Sequence, residues 1–402
     1  MKTTHFTNDN ELISKLEQIL KLNSQENIHL LIDETPTITD SWIETSSVPN
    51  VTIVTAFYNI RKMESLVEHY NVRKEFEYLN YANDFILKLP YNLVIYIDDD
   101  ASSDDIFNYI QEKRFPQYKN QTNIIRQSFQ KTFYFSYLER ITKLIEQYII
   151  LNRNIDKDTP YYIILTNNKF YFLDQAIASN VFQSTHFMWL DFGINHVANN
   201  PELLHQWIKR IPDKIKQMCL NPYIEDEPPK ELFTFIYHHL AAGLFSGNKE
   251  NMLQYINLFK KKIEQIYDDN WYQLDEEVMT MIQRENNHLF ELYYGDYQGI
   301  ISNYEIPHDN IDLIIQGLIK TFNSQKWDFS CHIINYLSPY FLIQENQMTE
   351  LFYTFISIFI LIVRENIMNT GFGQIICQKI ADGDPNMGQI MREYLPTIAL
   401  QN

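Results

Sequence analysis

The side chains able to do chemistry in this sequence are acids placed at the ends of apolar runs. Asp191 follows Trp189 and Leu190, at the carboxyl end of an expected strand over Phe187 to Leu190. Ligands of open α/β sheets bind beyond the carboxyl ends of strands, so a carboxylate there is placed to meet a ligand rather than to fill a core. Asp98, Asp99 and Asp100 end a second apolar run and spell D-x-D. That pattern suits a divalent cation, which takes about six hard oxygen ligands. It equally suits a cap on a helix starting at Ser102. Asp275 and Glu276 open a helical pattern in which acids complement the helix dipole, with Asp275 as the expected N-cap.

The remaining candidates are cations and rings. Thr55, Ala56 and Tyr58 belong to the stretch that closes the first strand, where nucleotide bases and riboses meet such sheets. Arg61, just beyond, is either in reach of a phosphate or a surface residue of the next helix. Lys169 reads as the opening of a helix near the same edge, where its charge adds to a favourable dipole end; a solvated surface lysine is the competing account. Tyr58 and Trp189 carry faces suited to a base or a sugar ring, with core packing the favoured account of Trp189. His238 and His239 are not a metal pair, because neighbours on a strand face opposite ways. No nucleophile elbow, P-loop or dinucleotide GxGxxG appears.

The elements that must position these residues follow from apolar periodicity. VTIVTA (51 to 56), NLVIYI (92 to 97) and Asn123 to Ile125 read as buried strands of a parallel sheet, as does Tyr161 to Leu165. After Tyr161 to Leu165 a polar break at Thr166, Asn167 and Asn168 leads into the helix opened by Lys169. Helical spacing appears between Phe76 and Leu89, from Ser102 on, from Leu138 to Ile149, and around Leu203 to Met218. FTFIY (233 to 237) reads as a strand, Asn248 as a helix cap, and Gly295-Asp296 as a turn. Strands alternating with helices imply an α/β, Rossmann-type, mostly parallel sheet flanked by helices. Beyond Ile306 only helical patterns remain, including the apolar run from Leu351 to Val363, which implies a C-terminal all-α domain. An amphipathic helix from Asn10 to Leu22 and a Thr/Ser/Pro-rich connector precede the sheet.

Composition limits the function. The net charge of −18, with no basic stripe, excludes wrapping a nucleic-acid backbone. An anionic substrate must then be received by a helix N-terminus, a single Lys or Arg, or a cation held by carboxylates. Cys219, Cys331 and Cys377 form no metal spacing and read as buried thiols of a reducing compartment. No secretory signal opens the chain and no apolar run reaches the roughly 20 residues of a membrane span, so a soluble, cytoplasmic protein is expected.

The run Trp189-Leu190-Asp191-Phe192-Gly193, with Lys169 ahead of it, resembles the W-x-D-x-D pattern of the HtrL/YibB (WlaTC/HtrL) family of glycosyltransferase-like bacterial proteins. More distantly it is similar to nucleotide-sugar transferases of the GT-A fold. The similarity extends to VTAFYNIR (54 to 61), LVIYID (93 to 98), AAGLFSGNKE (241 to 250), LDEEV (274 to 278) and YYGDYQGIISNY (293 to 304). Gly193 is the departure, standing where the pattern has its second acid.

The resemblance implies a GT-A-like domain over 48–305, between a helical arm and connector (1–47) and the helical domain (306–402). It implies transfer of a sugar from a nucleoside diphosphate donor, UDP foremost, to a hydroxyl of a glycan or other acceptor. Asp191 would hold Mn2+ or Mg2+, with His196 or Asp296 as a further ligand and Asp98 with Asp100 as the alternative site. Thr55, Ala56, Tyr58, Arg61, Asp98, Lys169 and Trp189 would line the donor site. Gly243, Gly247 and His239 would line the acceptor side, and Asp275 or Glu276 would contact the acceptor hydroxyl or act as its base. The C-terminal helices are a candidate homo-oligomer contact. A catalytically weak nucleotide-sugar or glycan-binding protein, and a partner-binding scaffold, are the alternatives.

Overall fold

A computed structural model describes residues 50–64, 73–148, 150–223 and 233–324, and positions 326, 329–330, 332–334, 336–337 and 340. The N-terminal helix, the connector, the apolar run from Leu351 to Val363, and Cys331 and Cys377 lie outside the described residues. The chain divides into two compact units. Ser46–Asn310 holds the whole sheet; in the other, the continuous element is an amphipathic helix at Ile311–Asn323, as its spacing predicts.

Seven strands form one sheet in the order β3-β2-β1-β4-β6-β5-β7. They are β1 (Val51–Phe57), β2 (Asn92–Ile97), β3 (Thr122–Arg126), β4 (His186–Leu190), β5 (Ile215–Cys219), β6 (Leu240–Asn248) and β7 (Phe290–Tyr294). β6 alone runs against its neighbours β4 and β5; the other pairings are parallel. β1, β2 and β4 are buried almost throughout, which is why they are continuous apolar runs rather than alternating ones.

The flanking helices are α1 (Glu75–Asp84), α2 (Asp104–Tyr118), α3 (Leu138–Gln147), α4 (Pro160–Ser179), α5 (Lys249–Asp268) and α6 (Asp275–Glu285). Asn248 caps α5 through its side chain, as expected. Among the described residues, no helix is long and apolar enough to cross a membrane.

The expected strand over Tyr161 to Leu165 does not form. Those residues are the first turns of α4, whose start is set by the Thr159 side chain accepting from Tyr162 N–H and by Pro160 at the first helical position. The supposed polar break is part of the same helix, because each side chain finds a partner inside the fold. Thr166 donates to the Ile163 carbonyl, Asn167 to the Tyr267 hydroxyl, and Asn168 to the Ile164 carbonyl and Thr132. Lys169 therefore lies in mid-helix. The next residue, Phe170, stacks on Phe259 of α5 at 3.7 Å, fixing α4 against that helix.

Three other expectations are corrected. The helical reading of 203 to 218 gives way to β5 after Arg210, because Lys216 and Gln217, polar but buried, are paired across the sheet. Lys216 Nζ lies 2.6 Å from Glu291, and Gln217 binds Ala241 and Tyr255. FTFIY lies ahead of the strand instead of forming it; pairing begins at Leu240. His238 and His239 are consequently not strand neighbours, and His238 adopts a left-handed backbone with φ of 51°.

Candidate functional site

In the strand order the chain leaves β1 toward β2 on one side and leaves β4 toward β5 on the other, so the carboxyl edge between β1 and β4 is the topological switch point, the usual ligand position in such sheets. The chain leaving β1 supplies Tyr58 to Arg61, and the chain leaving β4 supplies Asp191 to His196. Because β6 is antiparallel, its beginning reaches the same edge, bringing His238 to Gly243 alongside the end of β4.

Asp191 is anchored by its backbone, whose N–H donates to the Gly243 carbonyl at 2.9 Å. Its Oδ1 accepts from the Trp189 indole N–H at 2.6 Å and lies 3.3 Å from Lys169 Nζ. Its Oδ2 has no hydrogen-bond partner among the described residues, and the side chain is 41% exposed. Gly243 lies beside that oxygen: a Cβ there would press on Ile194 Cδ1 at 2.9 Å and meet Asp191 Oδ2 only at ordinary contact distance, 3.6 Å. Trp189 is buried, so it orients the acid through its ring edge.

Lys169 is buried beneath this acid. Its ammonium donates to the Ala242 carbonyl at 3.0 Å and contacts Asp275 Oδ2 at 3.1 Å. Burial alone would favour the neutral amine, but Asp191 and Asp275 hold it charged, well above the usual lysine range. Asp275 is the first residue of α6, one position inside the expected cap, and Leu274 occupies the N-cap without a side-chain bond.

Each acid of the run Asp275-Glu276-Glu277 has a separate task. Asp275 balances Lys169. Glu276 accepts from the Tyr297 hydroxyl at 2.7 and 2.9 Å and from His238 Nδ1 at 2.7 Å. Burial works against its charge, but those donors hold the carboxyl below its ordinary value. Glu277, fully buried, accepts the backbone N–H groups of Tyr237 and His238 on Oε1, at 2.8 and 2.7 Å, and so fixes the strained turn. Among the described residues its Oε2 has no hydrogen-bond partner. The Tyr162 hydroxyl of α4 stands within electrostatic reach of Asp275, Glu276 and Asp191.

Glu277 yields a stability prediction. Burial pushes its pKa from 4.5 up to about 7, so the folded state binds this proton more tightly than the unfolded chain. Stability falls as pH rises through that interval, by about 3 kcal/mol at 1.36 kcal/mol per pH unit. Glu277→Gln keeps an acceptor for both N–H groups and removes the titration. Its stability relative to the wild type, from urea melts at pH 5 and pH 8, is therefore expected to rise by about 3 kcal/mol with pH. An unchanged difference would show that Glu277 does not titrate in this interval.

The other expected site residues are dispersed. Thr55 and Tyr58 are buried, the latter donating to the Gln127 carbonyl and stacking on Phe172, while Ala56 is partly exposed. Arg61 is held to Glu64, Thr159 and the Lys157 carbonyl, with its guanidinium 6.0 Å from the Tyr162 ring centre. Asp98 is buried and accepts from the N–H groups of Asp99 and Phe129. Asp100 accepts from the Ser102 and Ser103 hydroxyls, each at 2.7 Å, as a turn cap. His196 has both ring nitrogens engaged, by the Gly193 carbonyl and by Arg73, and Asp296 caps the turn over Tyr297–Gly299. Gly247 pairs with Phe187 near the opposite end of β4, and His239 is buried against the Asn221 carbonyl. Among the described residues, no three His, Cys, Asp or Glu side chains group to hold a metal ion.

Sequence reasoning put His239 rather than His238 on the acceptor side and gave Tyr297 and Glu277 no role. The run LDEEV pointed at the right helix, but nothing in the sequence signals the left-handed residue that turns His238 toward it.

A mostly parallel sheet with flanking helices and a cluster of charged groups at its carboxyl edge define an α/β protein of Rossmann-type architecture. The chain belongs to the HtrL_YibB family, whose model, described as a bacterial protein of unknown function, matches residues 49–304. No curated protein matches the chain. Among solved structures it is similar to 4-diphosphocytidyl-2C-methyl-D-erythritolsynthase from Anaerococcus prevotii, at 13% identity and a TM-score of 0.32, covering 69% of this chain and 96% of that one. The PaToxG glycosyltransferase aligns at 12% and 0.29, covering 89% and 95%. The mannosyltransferase PcManGT from Pyrobaculum calidifontis, solved with GDP-Man and Mn2+, aligns at 11% and 0.29, covering 98% and 94%.

Proposed function

We propose that this protein is a glycosyltransferase that moves a sugar from a nucleoside diphosphate donor, UDP-linked first among candidates, to a hydroxyl of a glycan or other acceptor. The observation that carries the reading is Asp191: a half-exposed carboxylate at the carboxyl edge of β4, beside the switch point, with one oxygen unengaged.

Within this reading the donor lies across the crevice between the ends of β1 and β4. The segment Thr55 to Tyr58 forms its floor, Arg61 is the cation offered to a phosphate, and Asp98 shapes the nucleoside end. Lys169, 3.3 Å from Asp191 Oδ1, holds that carboxylate in place and adds one fixed positive charge under the diphosphate. Asp191 fits Mn2+ or Mg2+ as a single protein ligand, with the diphosphate and water completing the shell; His196 and Asp296 would join only by giving up present hydrogen bonds. Such an ion, when bound, neutralises charge building on the leaving diphosphate. Gly243, and Glu276 with the groups it holds, form the acceptor side.

A ligand that binds only the folded state raises its melting temperature. In a thermal-shift screen of UDP- and GDP-sugars with Mn2+, at least one is expected to raise the midpoint, and EDTA is expected to abolish the shift. A screen without any shift contradicts the reading.

A further inference from the structure

His238 stands in a hydrogen-bonded cluster with one ring nitrogen open to solvent. Its Nδ1 lies 2.7 Å from Glu276 Oε2 and 3.3 Å from the Tyr297 hydroxyl. A carboxylate only accepts, so Nδ1 bears the proton and the neutral ring keeps its lone pair on Nε2. Nε2 has no hydrogen-bond partner among the described residues, and the side chain is 44% exposed. The surrounding structure is built to keep it so. His238 sits in the left-handed region, which costs a non-glycine residue about 1–3 kcal/mol and persists only where neighbours over-determine it. Here a fully buried carboxylate, Glu277, holds the His238 and Tyr237 N–H groups.

The dyad is joined to the donor side by a short path. Glu276 Oε1 lies 3.4 Å from the Ala242 N–H, the Ala242 carbonyl accepts from Lys169, and Lys169 contacts Asp191. Glu276 is itself a poor proton acceptor, since its oxygens are occupied by Tyr297, His238 and the Ala242 N–H, and only 13% of its side chain is exposed.

We propose that His238 is the catalytic base of the transfer, taking the proton of the attacking acceptor hydroxyl on Nε2, with Glu276 and Glu277 as positioning residues. The proposal rests on the transfer reading above. As the acceptor O–H proton moves to Nε2, the oxygen pair forms the bond to the anomeric carbon. The bond from that carbon to the diphosphate oxygen breaks, and its pair leaves on the nucleoside diphosphate. The imidazolium, stabilised by Glu276, then returns its proton to water. Such a displacement inverts the anomeric configuration.

The base must be neutral to act, so the rate falls as pH drops below its pKa. The Glu276 hydrogen bond raises that pKa above the ordinary imidazole value. The other charged or titratable groups facing the ring are Glu277, Asp158, Lys157 and Tyr297; Lys157 opposes the rise.

The test measures nucleoside diphosphate release by the full-length protein from UDP-glucose, UDP-galactose, UDP-N-acetylglucosamine and GDP-mannose with Mn2+, and with methyl glycosides as acceptors. His238→Ala and His238→Gln are expected to lower kcat about 100- to 10,000-fold, to leave donor KM within about threefold, and to lose the acidic limb of the pH profile. Added imidazole is expected to restore part of the His238→Ala rate. Glu276→Gln is expected to move the acidic limb to lower pH, which a purely structural role would not do. His238 variants with wild-type kcat and pH profile overturn the proposal alone. A wild type that turns over no donor overturns the transfer reading, and the proposal with it.

Discussion

Lys169→Met is expected to lower the stability of the sheet-bearing unit by about 3–5 kcal/mol, the usual cost of removing one partner from a buried ion pair. The reason lies in what the ammonium leaves behind. Asp275 is 5% exposed and Asp191 shares the same cation, so the variant keeps two carboxylates with nothing between them. At this size a loss of that order lowers the melting midpoint by roughly 10 °C.

The defect has a pH signature. Burial already raises the Asp275 pKa, against the pull of Lys169, and without Lys169 it rises further. Its folded-state value then stands well above the unfolded one, so the penalty is present at neutral pH and disappears as pH falls below the unfolded carboxylate range. Adding Asp275→Leu is expected to recover most of the loss, because replacing both members of a buried pair by apolar groups is often near neutral. Melting curves of the two variants at pH 3.5 and 7.5 check both statements. A single variant as stable as the wild type at pH 7.5 would mean that Lys169 is not the cation balancing this pair.

Much of the positioning frame was legible because interior parallel strands are unbroken apolar runs: β1, β2 and β4 all stand where such runs occur, while the edge strand β3 offered only the short stretch Asn123 to Ile125. The same criterion failed at Tyr161 to Leu165, since a buried helix is also a continuous apolar run. Length and the Thr159-Pro160 start signal separate the two, and the 20 residues of α4 are far too many for a strand. β5 was hidden because Lys216 and Gln217 look like one face of a helix until Glu291 and Tyr255, distant in sequence, are known to lie beside them. A carboxylate at the end of β4 was readable from position alone. Lys169 was placed at the correct edge for an incorrect reason, since it rises from the middle of a buried helix rather than the start of an exposed one. The His238 turn depends on a backbone conformation that no residue type announces and on a carboxylate 39 positions away.

Asp191→Asn is expected to weaken Mn2+-dependent binding of UDP by at least about 100-fold, close to 2.7 kcal/mol, since the neutral amide removes the ion's one charged protein ligand in this reading. The fold should survive: the amide oxygen can still accept from Trp189, and Asp275 continues to hold Lys169. Calorimetric titration of UDP into the wild type and Asp191→Asn, each with Mn2+ and with EDTA, tests this directly. The account predicts binding by the wild type in Mn2+, strong weakening in EDTA, and equally weak binding by the variant in both. Equal affinity of the two proteins for UDP in Mn2+, or no binding by the wild type, would contradict it.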